Sequence, residues 1–313
     1  AQKRGLQQYP GVEHAGEVHV ADIGIPIGGS PAASLWTRDD LGALITPRPN
    51  DAHKGTAGHL LVIGGAPGKT GAAVLAGRAA FRAGAGLVTI GARADARAAL
   101  EEKVIELMTT ALPDRVGEAA VESLCEGKRA VVLGPGMGLD DLGRAWARAF
   151  ALHAPVPTVI DADGLTNLAE DGLASLQTAA APRILTPHPG EAARLLGRST
   201  TDIQADRYAA AGALSKQSGQ VVILKGARSI VAEAGTLRVC AEGTPALGVA
   251  GTGDVLSGLV GALALTLAPI DAAIAGALLH ALAGAAASVG DRGLIASEVA
   301  DVVPSLLAGL PGH

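Results

Sequence analysis

The fold is decided by the stretch HLLVIGGAPGKTGAAVLAGRAAFRAGAGLVTIGA, residues 59–92. An apolar run ends at two glycines, an Ala- and Leu-rich segment of helical period follows, and a second apolar run closes the unit. Such units recur, with predicted strands at 59–65, 87–92, 130–136, 158–164, 183–188 and 221–226, and a hairpin-like pair at 230–235 and 237–243. Predicted helices lie at 70–83, 116–126, 140–152, 189–196, 202–218, 254–267, 272–288 and 297–308. Repeated βα units predict an α/β fold whose mostly parallel central sheet carries helices on both faces.

Composition excludes several classes of protein. Among 313 residues, 49% are hydrophobic and 18% are charged, so the chain buries a large core and is not disordered. The net charge of −5 and the 2% aromatic content argue against a nucleic-acid partner. Cys125 and Cys240 form no CxxC pair, which disfavours a disulfide framework or a zinc site and predicts a cytoplasmic protein.

Two uncharged stretches, 255–270 and 272–290, approach the length of a membrane span. Both are rich in Ala and Gly and lack flanking clusters of Lys or Arg. Asp254 and Asp271 precede them, where a carboxylate favours the positive end of a helix dipole. We therefore predict two core helices packed on the sheet and no membrane association.

The N-terminal segment stands apart from this pattern. Residues 1–18 contain no apolar run typical of signal peptides, and Val18, Val20 and Ile23 alternate like a strand. That strand is either the tail of a preceding domain or an edge strand of the present one. We divide the chain into 1–30, a domain tail with a linker, and 31–313, the main domain. Removal of the first part is expected to leave activity intact.

Glycine-rich turns follow several predicted strands, at the sheet edge where α/β folds bind ligands. GGAPGKT at 64–70 is not a Walker A loop, because that motif needs a glycine where this chain has Ile63. The segment is either a plain turn or a turn that lets a ligand approach the backbone of Gly71, Ala72 and Ala73.

Two further turns are weak signals when taken alone. GPGMG at 134–138 marks either a turn or a place where backbone amides meet a ligand. KGARS at 225–229 ends another strand, and Lys225 there is either a point charge for a phosphate or a solvated lysine.

Carboxylates and a histidine follow two other strands. Asp161 and Asp163 follow a predicted strand, and either one of them faces a ligand or Asp163 caps the short helix that follows. Two prolines hold His188 on a rigid loop, and Pro189 begins a helix with Glu191 in its first turn. That helix N-terminus suits an anion or a metal-bound phosphate, although a lone histidine is often structural.

GVAGTGD at 248–254 is the most informative motif. Gly251, Thr252 and Gly253 are predicted to present backbone amides as an anion hole at a helix N-terminus. Asp254 in the first turn is predicted to act as a base on a nearby hydroxyl, which suits phosphoryl transfer to an alcohol. The alternative is an ordinary aspartate capping a core helix.

A set of segments occurs in the order found in one family and covers residues 37–308. They are HKGTAGHLLVIGG (53–65), TGAAVLAGRAAFRAGAGLVTI (70–90), VLGPGMG (132–138), VIDADGLTNL (159–168), ILTPHPGEAARLLG (184–197), VVILKGARSIVA (221–232), TPALGVAGTGDVLSGLVGALA (244–264) and GLIASEVADVVP (293–304). Together they resemble the NAD(P)H-hydrate dehydratases, which belong to the ribokinase-like superfamily. AGEVHVADIGIP (15–26) resembles the end of the epimerase domain fused in front of bacterial members; the body of that domain is missing, so we predict no epimerase activity.

The resemblance implies repair of NADHX and NADPHX, the hydrated forms of NADH and NADPH. A nucleotide phosphorylates the hydroxyl of the S-epimer, and elimination of phosphate restores the reduced cofactor. Bacterial members resemble ADP users that release AMP and phosphate, while ATP is the alternative nucleotide. The resemblance also implies Mg²⁺ and a homo-oligomer, specifically a tetramer.

The resemblance assigns a role to each site residue. Implied contacts to the hydrate are Ala73, Gly138, His188 and Asp254, and implied contacts to the nucleotide are Lys225, Gly226, Ala227, Arg228, Ser229 and Gly253. Asp254 is implied as the base, and Glu191 organises Mg²⁺ indirectly. Ser229 replaces a common Thr, and Thr244 replaces a common Asn, so we leave Thr244 out of the site.

Two other functions compete with the dehydratase. The first is an ATP-dependent small-molecule kinase of the same superfamily, although such kinases more often carry Asn where this chain has His188. The second is a non-catalytic nucleotide-binding protein, which the intact Asp254 in its glycine loop argues against.

Overall fold

The computed structural model describes residues 2–24 and 32–310. Ten strands occur in that part of the chain: β1 Ser34–Trp36, β2 His59–Ile63, β3 Leu87–Ala92, β4 Met108–Ala111, β5 Ala130–Leu133, β6 Thr158–Ile160, β7 Arg183–Leu185, β8 Val221–Leu224, β9 Ile230–Glu233 and β10 Thr236–Cys240. They form one sheet in the order β1-β10-β9-β8-β7-β6-β5-β2-β3-β4. β9 runs antiparallel to β8 and β10, and the other neighbours are parallel. The predicted mostly parallel α/β architecture is confirmed.

The strand order creates a switch point next to β2. The chain adds β3 and β4 on one side of β2 and then returns to place β5 on its other side. The loops after β2 and β5 therefore leave the sheet side by side and in opposite directions, which is where open α/β sheets bind ligands.

Helices cover both faces of the sheet, as predicted. They are α1 Gly11–Ala15, α2 Arg38–Leu44, α3 Thr70–Arg82, α4 Ala94–Glu101, α5 Glu118–Cys125, α6 Asp141–His153, α7 Asp163–Leu168, α8 Pro189–Leu196, α9 Thr200–Ala205, α10 Arg207–Ser218, α11 Thr252–Leu263, α12 Pro269–Ala287 and α13 Ala296–Ala308. One core lies between the sheet and α2, α3, α11, α12 and α13. The other lies beneath α5, α6, α8 and α10, with Trp146 and Phe150 at its centre. The central strands are buried on both faces, which explains their continuous apolar runs.

The two uncharged stretches form α11 and α12, and both are core helices, as predicted. α12 is the one described helix long and apolar enough to cross a bilayer. It packs instead on α11, α13 and the strands β8 to β10. Its small Ala and Gly side chains allow close approach; a Cβ on Gly276 would lie 2.4 Å from a Val260 side-chain carbon. This packing identifies α12 as a core helix.

Several local predictions differ from the structure. The helix predicted at 202–218 is broken at Asp206, which leaves helical geometry (φ −144°, ψ 86°) and caps α10 through a 2.9 Å bond from the Ala209 amide. Local period does not reveal that break, because apolar residues continue through it. Strands β1 and β4 were not predicted, since each is a short segment at a sheet edge.

The strand predicted from Val18 to Ile23 is absent; residues 18–23 are irregular, and β1 is the edge strand that pairs with β10. The predicted linker at 26–31 lies outside the described residues. Within the preceding segment, Arg4 stacks over Tyr208 of α10, and Gln7 accepts a hydrogen bond from Arg228. This N-terminal segment therefore contacts the main domain.

Candidate active site

Glycines bring the loops at the switch point into backbone contact. The Gly65 amide donates to Pro135 O at 2.9 Å, and the Ala66 amide donates to Gly136 O at 2.7 Å. A Cβ on Gly64 would lie 2.1 Å from Pro135 O, so no other residue fits there. The segments GGAPGKT and GPGMG are therefore two halves of one interlocked turn.

Asp163 ties this double turn to the end of β6. Its carboxylate accepts from the Gly138 amide at 3.0 Å and pairs with Lys69 at 2.9 Å. The N-cap of α7 is Ala162 rather than Asp163, so the predicted capping role is wrong. Gly138 lies at φ +93°, and its carbonyl accepts from Asn167 at 2.9 Å, which holds this predicted substrate contact in place.

The side chain of Lys225 links the carboxylates of Asp161, which follows β6, and Glu191, which lies in α8 after β7. Its Nζ lies 2.6 Å from Asp161 Oδ1 and 3.7 Å from Glu191 Oε2, and all three side chains are mostly buried. Burial alone would lower the pKa of Lys225, but Asp161, Glu191 and Asp254 together raise it. Lys225 is thus an ion-paired cation inside the site rather than a solvated lysine. Sequence reasoning left open which of Asp161 and Asp163 faces the site; the structure brings Asp161 there.

His188 and Glu191 form the start of α8. The imidazole Nδ1 accepts from the amides of Gly190 and Glu191 at 3.0 and 3.3 Å, and the Glu191 carboxylate accepts from the His188 amide at 2.7 Å. Burial and the nearby Lys225 lower the pKa of His188, so the ring is neutral. Because Nδ1 is an acceptor, Nε2 carries the proton; it lies 3.6 Å from Glu191 Oε1 in a side chain that is 57% exposed, so it is available as a donor.

The GVAGTGD segment forms the N-terminus of α11. Gly251 adopts φ +90°, and the hydroxyl of Thr252 donates to Leu247 O and Val249 O, both at 2.9 Å, which holds the loop closed. The first amides of a helix have no partner within it, so Thr252 and Gly253 present free N–H groups at the positive helix end. A Cβ on Gly253 would lie 3.4 Å from Lys225 Nζ, which places the predicted anion hole directly over the lysine.

Asp254 occupies the first turn of α11 beside this hole. Burial raises the pKa of Asp254 to about 7; Asp161 adds to the rise, and Lys225 opposes it. Among residues 2–24 and 32–310, no donor hydrogen-bonds to its carboxylate. A desolvated carboxylate that titrates near neutral pH and lacks a partner is well suited to accept a proton.

The remaining predicted nucleotide contacts lie in the turn between β8 and β9. Gly226 and Arg228 have positive φ of +141° and +55°, and the Ser229 hydroxyl donates to Gly226 O at 3.2 Å. This turn directly follows Lys225, so the two parts of the predicted nucleotide site are adjacent in space.

Ala73 lies in the first turns of α3, below the 64–68 turn. It is fully buried in α3, where its methyl group packs under Gly65. Its contact with the hydrate stays a prediction.

The side-chain ligands near the site show how a metal ion could bind there. The described chain has no group of three or more His, Cys, Asp and Glu side chains able to hold a metal. Glu191 is already bonded to the His188 amide and lies near Lys225. The residues therefore fit Mg²⁺ only where nucleotide phosphates and waters supply most ligands, as Mg²⁺ commonly requires.

The model of the NAD(P)H-hydrate dehydratase family matches residues 60–302. This chain belongs to that family. An ADP-dependent (S)-NAD(P)H-hydrate dehydratase from Neisseria meningitidis is 39% identical to it, over 84% of this chain and 85% of the relative. The bifunctional NAD(P)H-hydrate repair enzyme Nnr of Moorella thermoacetica is 38% identical over 98% of this chain, which spans 61% of that relative's length.

Solved structures agree with the family assignment. A Bacillus subtilis ADP/ATP-dependent NAD(P)H-hydrate dehydratase, co-crystallized with ATP and Mg²⁺, has a TM-score of 0.76 and 26% identity, covering 88% of this chain and 98% of that one. A ribokinase-like superfamily protein from Enterococcus faecalis has a TM-score of 0.78 at 22% identity, covering 92% and 100%. The predicted ribokinase-like fold of this chain is confirmed.

Proposed function

We propose that this chain is a nucleotide-dependent (S)-NAD(P)H-hydrate dehydratase. It phosphorylates the hydroxyl of NADHX or NADPHX with ADP, releases AMP, and eliminates phosphate to restore NADH or NADPH. ATP is the alternative donor. Beyond family membership, one observation carries the proposal: the partly buried carboxylate of Asp254, whose pKa is raised to about 7, lies next to free helix-terminal amides.

The proton transfer falls to Asp254. In its ionised form this carboxylate accepts the proton of the substrate hydroxyl while the oxygen attacks the terminal phosphorus of the nucleotide. Burial leaves the ionised carboxylate poorly solvated, which raises its basicity. No donor in the described chain occupies its oxygen lone pairs, so they are free to accept the proton.

Two features stabilise the negative charge of the transferred phosphoryl group. The free amides of Gly251, Thr252 and Gly253 face it from the N-terminus of α11, and Lys225 lies beneath Gly253. The negative charges of Asp161 and Glu191 hold Lys225 in place and offset its charge when no nucleotide is bound.

The later step breaks the carbon–oxygen bond to phosphate while a neighbouring ring carbon loses a proton. His188 presents its Nε2–H at the exposed rim, where it orients the hydrate by donating a hydrogen bond. Gly138, whose amide donates to Asp163, is a second contact to the hydrate.

Mg²⁺ is proposed as a companion of the nucleotide phosphates, with Glu191 holding its water shell. When bound, it neutralises phosphate charge. The carboxylate is positioned for this by the α8 N-terminus, because its hydrogen bond to the His188 amide fixes one oxygen.

The experiment supplies the hydrate, Mg²⁺ and either ADP or ATP, and follows the absorbance of the reduced nicotinamide. Recovery of absorbance with release of AMP from ADP supports the proposal, and Asp254→Asn is the matched inactive control. A stable phosphorylated alcohol would instead indicate the small-molecule kinase. Binding of nucleotide without turnover would indicate the non-catalytic protein.

The cellular compartment, the origin of the N-terminal segment and the oligomeric state are also proposals. Both cysteines are buried free thiols, which fits the reducing cytoplasm. Residues 1–30 remain proposed as the tail of an epimerase-like domain, and the homo-oligomer implied by resemblance is tested by light scattering of the purified chain.

A further inference from the structure

We propose that Arg207, which the site assignment does not include, is a positioning residue for the nucleotide-binding turn 225–229. The inference rests on the proposed function, because it concerns how that site holds the nucleotide. Its basis is a buried guanidinium that binds the carbonyl at the end of β8 and two carbonyls of this turn on one side.

The break between α9 and α10 places Arg207 under the turn. Asp206 leaves helical geometry and caps α10, so Arg207 begins the new helix and is 6% exposed. Its Nη2 donates to Leu224 O and Lys225 O, both at 3.2 Å, and its Nη1 donates to Ala227 O.

The orientation of the turn follows from these bonds. Because a trans peptide points its C=O and N–H in opposite directions, carbonyls drawn towards Arg207 direct the next amides away from it. Those amides belong to Gly226 and Arg228, and neither has a partner among the described residues. Arg207 thereby aims two free donors at the side where the nucleotide is proposed to bind.

The charge of Arg207 supports the same role. No carboxylate of the described chain lies within ion-pair distance of it, and its Nε is buried without a partner. Burial lowers the pKa of Arg207, yet a guanidinium stays protonated at neutral pH. A buried cation balanced only by carbonyl dipoles favours an anion on the far side of the turn.

Gly226 is required by this arrangement. It adopts φ +141°, and a Cβ there would lie 2.8 Å from Arg207 Nη2. A side chain at this position would push the guanidinium away from the carbonyls. Gly226 and Arg207 therefore form one unit, which gives a second way to disturb it without removing the charge.

Arg183 is the matched control. It is also fully buried, and it donates to the carbonyls of Ala151, Ala154, Val156 and Pro182. It begins β7, at the opposite edge of the sheet from the nucleotide turn. Loss of its bonds affects the fold but no predicted ligand contact.

The test compares Arg207→Met, Arg207→Lys and Arg183→Lys by calorimetric ADP binding and by steady-state kinetics with the hydrate. Arg207→Met is expected to weaken ADP binding and raise the KM for ADP by about tenfold or more, the cost of lost charge-assisted bonds. The KM for the hydrate and kcat at saturating ADP change by less than about threefold. Arg207→Lys, which keeps the charge, loses less than Arg207→Met, and Arg183→Lys leaves both KM values unchanged.

Gly226→Ala keeps the test decisive if Arg207→Met fails to fold. It is expected to raise the KM for ADP selectively, whereas Gly212→Ala on the same helix as Arg207, where a Cβ meets nothing within 4 Å, leaves it unchanged. Equal changes in both KM values, or unchanged ADP binding in Arg207→Lys and Gly226→Ala, would overturn the inference. Failure of the unmodified protein to convert the hydrate would instead overturn the proposed function, while calorimetry would still decide the role of Arg207.

Discussion

Buried charged groups have opposite surroundings at the two ends of the parallel strands, which are the amino edge and the carboxyl edge of the sheet. At the amino edge, all three guanidinium nitrogens of Arg183 donate to backbone carbonyls. At the carboxyl edge, Asp161, Glu191 and Asp254 share a single lysine, Lys225, and no donor in the described part of the chain hydrogen-bonds to the Asp254 carboxylate. The first arrangement is internally satisfied and stabilises the fold. The second leaves charge unbalanced, which costs stability and creates the capacity to bind anions and move a proton.

The largest expected effect is the loss of turnover in Asp254→Asn. The amide is similar in size but cannot accept the proton, so kcat falls by about 10²–10⁴. Stopped turnover with unchanged ADP binding by calorimetry checks this role. Near-normal kcat would show that Asp254 is not the base.

The same variant is expected to be more stable than the parent above neutral pH. The pKa of Asp254 is raised from its ordinary value of 3.8 to about 7, so its ionisation costs stability as pH rises through that interval. Asn removes the cost, which amounts to more than about 1 kcal/mol at about pH 8. Thermal melting at about pH 8 and about pH 4 is the measurement; a gain that does not shrink at the lower pH would contradict the linkage.

At the amino edge, Arg183→Met is expected to destabilise the fold without changing the nucleotide site. It leaves the buried carbonyls of Ala151 and Ala154 without a donor, so the free energy of unfolding falls by about 2 kcal/mol or more. Chemical denaturation measures the loss. A selective rise in the KM for ADP would show that the two edges are not independent.

The pH dependence of activity tests the proposed roles of the charged groups at the carboxyl edge. Activity is expected to rise with pH through about 7, because the ionised form of Asp254 is the base. Asp161→Asn removes a charge that raises the pKa of Asp254, so the rise moves to lower pH. Lys225→Met removes a charge that lowers this pKa, so the rise moves to higher pH.

These shifts are read from kcat as a function of pH. Shifts of the same sign in both variants would contradict the assignment, since it requires opposite signs. Because Lys225 is also a predicted nucleotide contact, Lys225→Met is expected to raise the KM for ADP more than the KM for the hydrate.

The smallest effect is expected from removing residues 1–30. This deletes the Arg4–Tyr208 stacking and the Gln7–Arg228 hydrogen bond, which together contribute about 1 kcal/mol. The KM for ADP is expected to rise by less than about fivefold, with kcat retained. Arg4→Ala combined with Gln7→Ala in the full chain is the control. A large drop in melting temperature together with lost activity would show that this segment belongs to the dehydratase fold.

The sequence predicted features that depend on neighbouring residues, and it missed features that depend on tertiary contacts. The apolar runs predicted the central strands, and the glycine loop before Asp254 predicted a helix N-terminus. The break at Asp206 was missed because period continues through it. The capping role of Asp163 was wrong because its carboxylate is drawn to Gly138 and Lys69 from other loops.

The sequence by itself determined the α/β class, the core helices and the motifs, because period, apolar content and glycine position act over a few neighbouring residues. Only the tertiary structure decided that Asp161, Glu191 and Lys225 form one charged group beneath Gly253. Parallel strands bring residues far apart in sequence to one sheet edge, and no local pattern records that proximity. The neutral-range pKa of Asp254 and the placement of Arg207 follow from the same edge, since burial and neighbouring charge are properties of the assembled fold.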